Sequence, residues 1–484
     1  MNHVNGERST WPENVGILAI EVYFPSTYVD QGKLEEYDGV SKGKYTIGLG
    51  QTGMGFCGDR EDTNSLSLTV VQNLLEKNSI DPNQIGRLEV GTESILDKSK
   101  SVKTVLMQLF EQSGNSDIEG VDTINACYGS TQAFFNALDW VESSAWDGCV
   151  QLNQTDFLQF SNDLHHYCFA KPTAFVGFSW RRSSFYCCVV ERGLRSVFMS
   201  HAYDFYKPNL ESQYPVVDGK LSINCYLKAV ERCYHGYLAK ANSMDDIDYA
   251  VFHSPVCKLT QKSLARLIFL DFLREKSEVI ESDTKYESLK EFSDVTVDQL
   301  YEDEARAKLI EKASMSFSLK DFQKKTKSSL LFATNVGNAY TASVYAGLAS
   351  LLASVSSTDL AGCRIGVFCY GSGYASAFYS IKVSPDPHDS NLTRIITNVS
   401  DMKSKLEARA CLEPAEFVKT LEMREKTQHR KDFSPSGSIE HFWQGTYFLQ
   451  HVDDKYRRSY GRKTKDGIVD INGNDVVSVA NGHA

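Results

Sequence analysis

Cys127 stands where the apolar run of Ile124 and Ala126 gives way to Tyr128-Gly129-Ser130, before apolar residues resume over 132–138 at helical spacing. The pattern predicts a strand, a sharp elbow and a helix. A thiol at such an elbow sits beside a helix N-terminus, whose unpaired N–H groups and dipole favour thiolate, so its pKa is expected to be lowered. The chemistry that suits it is nucleophilic attack, with Gly129 leaving room for a substrate. The residues alone leave open the other fate of a cysteine, a buried and inert thiol. Glu93 follows the strand-like stretch 85–90 and Gly91-Thr92, and His253 follows the run ending at Phe252, so both sit at strand ends as well.

The elements that would position these groups alternate. Residues 15–24 read as a strand closed by Pro25, 66–77 as a helix, 85–90 as a strand and 103–112 as a helix, and a further strand leads to Cys127. That alternation is expected of a largely parallel sheet. The plan restarts with a strand over 246–252 and a helix over 258–272. A strand is expected over 328–334, followed by the elbow Asn335-Val336-Gly337-Asn338-Ala339-Tyr340 and a helix to residue 353. Strands are expected over 364–369 and 375–383, amphipathic helices over 391–406 and 414–426, and a strand-like stretch over 442–449. The Gly-rich segment 37–50, carrying Lys44, reads as a loop over a ligand.

This organisation gives four regions: a flexible N-terminus over 1–13, one half over 14–245, a second half over 246–462 with a charge-rich, solvated helical insertion at about 276–325, and a disordered tail over 463–484.

With 484 residues and 42% hydrophobic content the chain can fill a large core. A net charge of −11 argues against general nucleic-acid binding, which needs a basic face. Twelve cysteines without framework spacing read as reduced thiols. The polar N-terminus resembles neither a secretory nor a transit sequence, and no apolar run is long enough to span a membrane, so a cytoplasmic location with no membrane partner is expected. His165, His166, Cys168, Cys187 and Cys188 match no standard metal-ligand spacing, and no metal is expected.

Two duplicated halves with a cysteine at one strand-end elbow and His253 and Asn338 at others resemble the thiolase superfamily, which implies a five-layered αβαβα fold. The resemblance narrows at residues 44–50 (KYTIGLG), Gly91-Thr92-Glu93, 97–101 (DKSKS), 125–129 (NACYG), 203–208 (YDFYKP), 218–222 (DGKLS), Phe252-His253-Ser254-Pro255, Gly337-Asn338 and 370–373 (YGSG). Together these are similar to the signatures of eukaryotic 3-hydroxy-3-methylglutaryl-CoA synthases, over about 14–148 and 191–460. The resemblance implies condensation of acetyl-CoA with acetoacetyl-CoA and water in the mevalonate route, in a homodimer, with CoA thioesters as substrates and no cofactor. It assigns Cys127 as the acetylated nucleophile. Glu93 becomes the general acid/base acting on the acetyl methyl, a task helped by an apolar site that raises its pKa. His253 becomes the group that polarises the acetoacetyl unit. It implies contacts to CoA or acyl groups from Lys44, Thr173, Ser222, Lys258, Lys262, Asn338, Tyr340 and Ser372. Lys258 and Lys262, four apart, share a helix face and suit the CoA phosphates. Glu93 separates this reading from that of other condensing enzymes of the superfamily, which lack the hydrolytic step.

Between about 149 and 190 the likeness lapses, apart from Ala170-Lys171-Pro172-Thr173. Neither the polar stretch 151–156 nor 179–184 suits a strand buried on both faces. A less stable chain, or one that binds acyl-CoA or an intact subunit without turnover, is the expectation attached to that interval. Ser130 is a smaller departure, standing where the family usually has glycine.

Overall fold

Two mixed sheets, packed with helices between and outside them, carry the strand ends that precede Glu93, Cys127 and His253. A computed structural model describes residues 15–143, 150–156, 173–178, 188–209, 212, 214–241, 243–275 and 277–475. The first sheet contains β1 (Ile17–Tyr23), β2 (Ile85–Thr92), β3 (Asp122–Thr123), β4 (Val150–Asp156) and β5 (Thr173–Phe178), in the order β1-β5-β4-β2-β3. Here β4, β2 and β3 run parallel, whereas β5 is antiparallel to both β1 and β4. The second contains β6 (Cys188–Val190), β7 (Ser196–Met199), β8 (Tyr249–Phe252), β9 (Arg364–Gly371) and β10 (Ala375–Val383). Its β8 is parallel to β9, β10 is antiparallel to β9, and β6 and β7 both pair with β10.

Helix α1 (Thr63–Lys77) covers the outer face of the first sheet, and starts at Asp62, whose carboxylate accepts the Ser65 N–H in a capping box. Between the sheets lie α2 (Gly129–Val141) and, further along the chain, α6 (Ser343–Ser354). Apolar residues surround α6 almost completely, as a helix buried on all sides requires. Phe134 and Phe135 of α2 meet Tyr379 of β10 at ring-centroid distances of 5.7 and 5.4 Å, so the helix from the first half packs against the second sheet. Outside the second sheet lie α3 (Gly219–Leu238) and α4 (Cys257–Arg274), with α5 (Leu331–Val336) preceding α6. Helix, sheet, helix, sheet, helix is the five-layered order the resemblance implies.

Four expectations need correction. Residues 328–334 are not a strand: Lys327–Leu330 form a 3-10 turn and Leu331–Val336 the helix α5. A short apolar run cannot be told from a buried helix by periodicity, and Asn335 Nδ2 here bonds the Leu331 carbonyl one turn back. The polar stretch 151–156 is a strand, β4, paired on both sides. Ladder hydrogen bonds come from the backbone, so Gln and Asn side chains do not prevent them. Residues 157–172 and 179–187 lie outside the described residues.

The tail is ordered beyond 463, since Arg458–Lys463 pairs with Ile468–Asp470 through a turn closed by the Thr464 N–H on the Gly467 carbonyl at 2.8 Å. A three-residue strand is too short to leave a periodic signal. The insertion is helical as expected, but it is not merely solvated: Ile280, Leu289, Phe292, Leu300 and Ile310 form an apolar cluster with Phe269 and Phe272 of α4. Residues 1–14 and 476–484, parts of the terminal regions named above, also lie outside the described residues. Among the described residues no helix is long and apolar enough to cross a membrane, and nine cysteines are all free thiols.

Candidate active site

Cys127 is held by an elbow that is tighter than a plain strand-to-helix turn. The strand β3 ends at Thr123, Ala126 adopts a φ of +37°, and the Tyr128 N–H bonds the Asn125 carbonyl at 2.9 Å before α2 begins. A left-handed conformation at a residue with a β-carbon costs energy, and it persists only where neighbours impose it. The neighbours are glycines with no space beside them. A β-carbon on Gly91 would lie 2.3 Å from Ser130 Cα, and one on Gly371 would lie 2.4 Å from the Tyr128 nitrogen. The end of β2 and the end of β9 therefore press on the start of α2 from two sides. Ser130, the departure from the family glycine, is buried there and donates its hydroxyl to the Thr341 carbonyl.

Immediately after β2, Glu93 turns toward the elbow. The Cys127 Sγ lies 3.7 Å from Glu93 Oε2, within hydrogen-bonding reach for sulfur. The other carboxylate oxygen, Oε1, is 2.9 Å from Lys207 Nζ, and both side chains are largely enclosed. Lys207 also lies 5.8 Å from the Tyr340 ring centre and 6.0 Å from that of Phe205. The segment carrying it is tied down by Asp204, a fully buried carboxylate that accepts the Tyr370 hydroxyl at 2.9 Å and the Gly373 N–H at 2.8 Å. Sequence reasoning quoted Lys207 within a motif but gave it no role. The only signal was a lysine set beside the aromatic residues Tyr203, Phe205 and Tyr206 and the acidic Asp204.

His253 enters from the second sheet, at the end of β8. Its N–H donates to the Phe368 carbonyl at 2.8 Å and its own carbonyl accepts the Tyr226 hydroxyl at 2.6 Å, so the backbone around the ring is fixed. Cys127 and His253 line one cavity of about 260 Å³ together with Ser222, Asn338, Tyr340 and Ser372. Lys258 and Lys262 of α4, with Gly48 and Leu49 of the Gly-rich loop, form another part of its wall. The structure thus gathers nine of the eleven residues singled out from sequence: eight line the cavity and Glu93 reaches it through its contact with Cys127, while Lys44 is exposed on the loop and is not among the lining residues. The eleventh, Thr173, opens β5, but its side chain lies outside the described residues. Of the five His and Cys residues weighed as metal ligands, only Cys188 is among the described residues, buried in β6.

The polar groups on the wall are partly committed. The Asn338 side-chain oxygen accepts the Tyr340 N–H at 2.8 Å, leaving its amide NH2 as the donor it can offer. Lys258 Nζ bonds Gln261 at 2.9 Å, and Lys262 is paired with Glu311 of the insertion at 2.9 Å.

Electrostatics overturn one expectation. Burial, followed by the adjacent Glu93 carboxylate, pushes the Cys127 thiol well above its ordinary range, with Lys207 pulling the other way. The helix terminus cannot reverse this, because desolvation penalises a thiolate at short range while the dipole contributes only a modest term. Burial also drives the His253 imidazole down to about 3, so the ring is neutral at physiological pH and acts as a neutral hydrogen-bonding group.

That neutrality has a measurable cost. In the unfolded chain the imidazole binds a proton as pH falls through 6.5, whereas the native ring does not do so until about 3. Protons therefore favour the unfolded state, and this group's share of stability is lost as pH falls below 6.5, by about 1.4 kcal/mol per pH unit. Urea unfolding of His253→Asn beside the parent chain, between pH 6.5 and 4.5, is expected to show a shallower decline by that amount. Parallel declines would mean that the ring is not buried neutral.

Comparison with known proteins agrees with this geometry. A family model described as hydroxymethylglutaryl-coenzyme A synthase N terminal matches residues 11–177, and one described as its C terminal matches 188–463. The chain is 50% identical over 469 residues to a cytoplasmic hydroxymethylglutaryl-CoA synthase of Homo sapiens, covering 94% of this chain and 88% of that protein. It is 50% identical over 476 residues to one of Gallus gallus, covering 95% and 89%, and 48% identical over 468 residues to a mitochondrial form from Rattus norvegicus, covering 94% and 90%. Among solved structures it is similar to MvaS in complex with 3-hydroxy-3-methylglutaryl coenzyme A, with a TM-score of 0.76 at 27% identity over 94% of this chain and 100% of that one. With both halves matched, the cysteine elbow from one and the imidazole from the other meeting at one cavity, the chain belongs to the hydroxymethylglutaryl-CoA synthase family.

Proposed function

We propose that this protein condenses acetyl-CoA with acetoacetyl-CoA and water to give 3-hydroxy-3-methylglutaryl-CoA and free CoA. The observation that carries the reading is the contact of Cys127 Sγ with the Glu93 carboxylate at 3.7 Å, on a cavity that also presents His253. In the first step the Cys127 sulfur attacks the acetyl carbonyl. A carbon–sulfur bond forms to the enzyme, the bond to the CoA sulfur breaks, and the thiol proton ends on the departing CoA. The acetyl-enzyme divides one difficult step into two easier ones.

In the second step Glu93 takes a proton from the acetyl methyl, and the electron pair left on carbon attacks the ketone carbon of acetoacetyl-CoA. The neutral His253 ring donates a hydrogen bond to that ketone oxygen, where negative charge develops, and the proton removed from the methyl ends on that oxygen as the 3-hydroxyl. Water then cleaves the enzyme thioester, releasing the new carboxylate and restoring the thiol. No metal or prosthetic group is needed for any of these steps. Lys258 and Lys262 suit the phosphates of CoA, while Ser222, Asn338 and Ser372 suit oxygens of the acyl chain.

What supports turnover over a scaffold that only binds acyl-CoA is that β4, drawn from the atypical interval, takes a paired place in the first sheet. What supports this reaction over a condensation without hydrolysis is Glu93 itself, a base aimed at the position the acetyl group would occupy. Release of 3-hydroxy-3-methylglutaryl-CoA from the two thioesters tests the reading, and its absence with a folded protein counts against it.

By likeness to the cytoplasmic relatives, the protein works in the cytoplasm, supplying the mevalonate route. It is also proposed to be a homodimer. β3 is an edge strand of the first sheet, flanked by Val121 at 60% exposure and Ile124 at 54%, and an apolar sheet edge of this kind is stabilised by pairing. Sedimentation is expected to give twice the 54.2 kDa of one chain, and Ile124→Lys to lower it toward one. A parent protein that sediments as a single chain would refute the dimer.

A further inference from the structure

Lys207 is a charged member of the cluster around Cys127 that the proposed reaction leaves without a task. It is a cation at 2.9 Å from a carboxylate, both largely shut away from water, on a segment anchored by the buried Asp204. Such a pair in a buried place costs desolvation, and a cation serving only the fold could be replaced by an apolar side chain of similar volume. Its placement is specific. It engages Oε1 of Glu93 while Oε2 faces the Cys127 sulfur, so the two oxygens of one carboxylate are assigned to different partners.

Resting on the proposed reaction, we infer that Lys207 is a positioning residue, which holds Glu93 by one oxygen as a carboxylate and so presents the other to the acetyl group on Cys127. Fixing one oxygen removes rotation about the terminal torsion, which otherwise swings the base away from the methyl proton. The rings of Tyr340 and Phe205 beside the ammonium confine it to this post.

The test compares the parent protein with Lys207→Gln, Lys207→Met and Lys207→Arg in the complete reaction, with thermal unfolding as a check on folding. For Lys207→Gln and Lys207→Met, kcat is expected to fall by roughly 10²-fold with KM for acetyl-CoA little changed. In a Glu93→Gln background the same Lys207→Gln change should cost nothing further, since the residue acts through Glu93. An unchanged kcat, or a further loss in the double variant equal to that in the single one, overturns the inference. Should neither neutral variant fold, Lys207→Arg decides. Its planar fork cannot hold one oxygen as the ammonium does, so kcat must fall, and a parental kcat would overturn the inference. If the parent protein itself forms no product, it is the proposed reaction that fails rather than this inference.

Discussion

Cys127→Ala is expected to end both acetyl transfer and product formation. Incubated with labelled acetyl-CoA, the parent protein should retain close to one acetyl group per chain, and the variant none. Cys127 is the one cysteine among the residues lining the cavity, whereas Cys257 beside the Gly-rich loop is buried, its thiol pushed up to about 11. Among the described residues no second sulfur lines the cavity to take over. Removing a nucleophile that forms a covalent intermediate costs on the order of 10⁴–10⁶ in turnover, which places the variant at the background rate. Its fold should survive, because deleting one sulfur leaves the glycine contacts around the elbow intact. Label that persists on the variant would remove the nucleophile from the mechanism.

The second large effect separates the two half-reactions. Glu93→Ala is expected to keep the acetyl label on Cys127 and to lose condensation by roughly 10²–10⁴-fold, the usual contribution of a positioned base. Persistence of the label has an electrostatic reason. The Glu93 carboxylate is one of the causes holding the Cys127 thiol up, and Lys207 opposes it. Without the carboxylate the thiol faces a cation alone, so it ionises more readily and attacks no less well. Acetyl-enzyme should therefore accumulate with no 3-hydroxy-3-methylglutaryl-CoA released. Loss of the label together with loss of product would instead make Glu93 a partner of the first step.

Much of this site could be read from the chain alone because its members sit at strand ends, where an apolar run stops abruptly at a polar residue. Glu93, Cys127 and His253 share that signature, and the motifs around them carry the family likeness. Long periodic segments were equally legible: the helix expected over 66–77 starts three residues earlier, and the strand over 375–383 matches at both ends. What could not be read depends on contacts between distant residues. Whether 328–334 winds or extends is decided by α6, whose Ser350 hydroxyl accepts the Phe332 N–H at 3.1 Å. The direction of the thiol's pKa shift is set by burial and then by Glu93, thirty-four positions away, while local sequence offered only the helix terminus. Lys207 was invisible as a site residue for the same reason. Lys44 is exposed on its loop, outside the residues that line the cavity.

The absence of side chains at Gly91 and Gly371 reaches beyond packing. With only 2.3 and 2.4 Å available, a methyl at either place would act as a wedge, displacing the start of α2 by about an ångström, the shortfall from an ordinary 3.4 Å contact. Helix and strand tips consequently move as one mechanical part, and the sulfur inherits its coordinates from both sheets at once. Laboratory evolution of this enzyme toward bulkier acyl donors would thus have to widen the chamber from the His253 or α4 side, because the wall behind the nucleophile has no slack to yield.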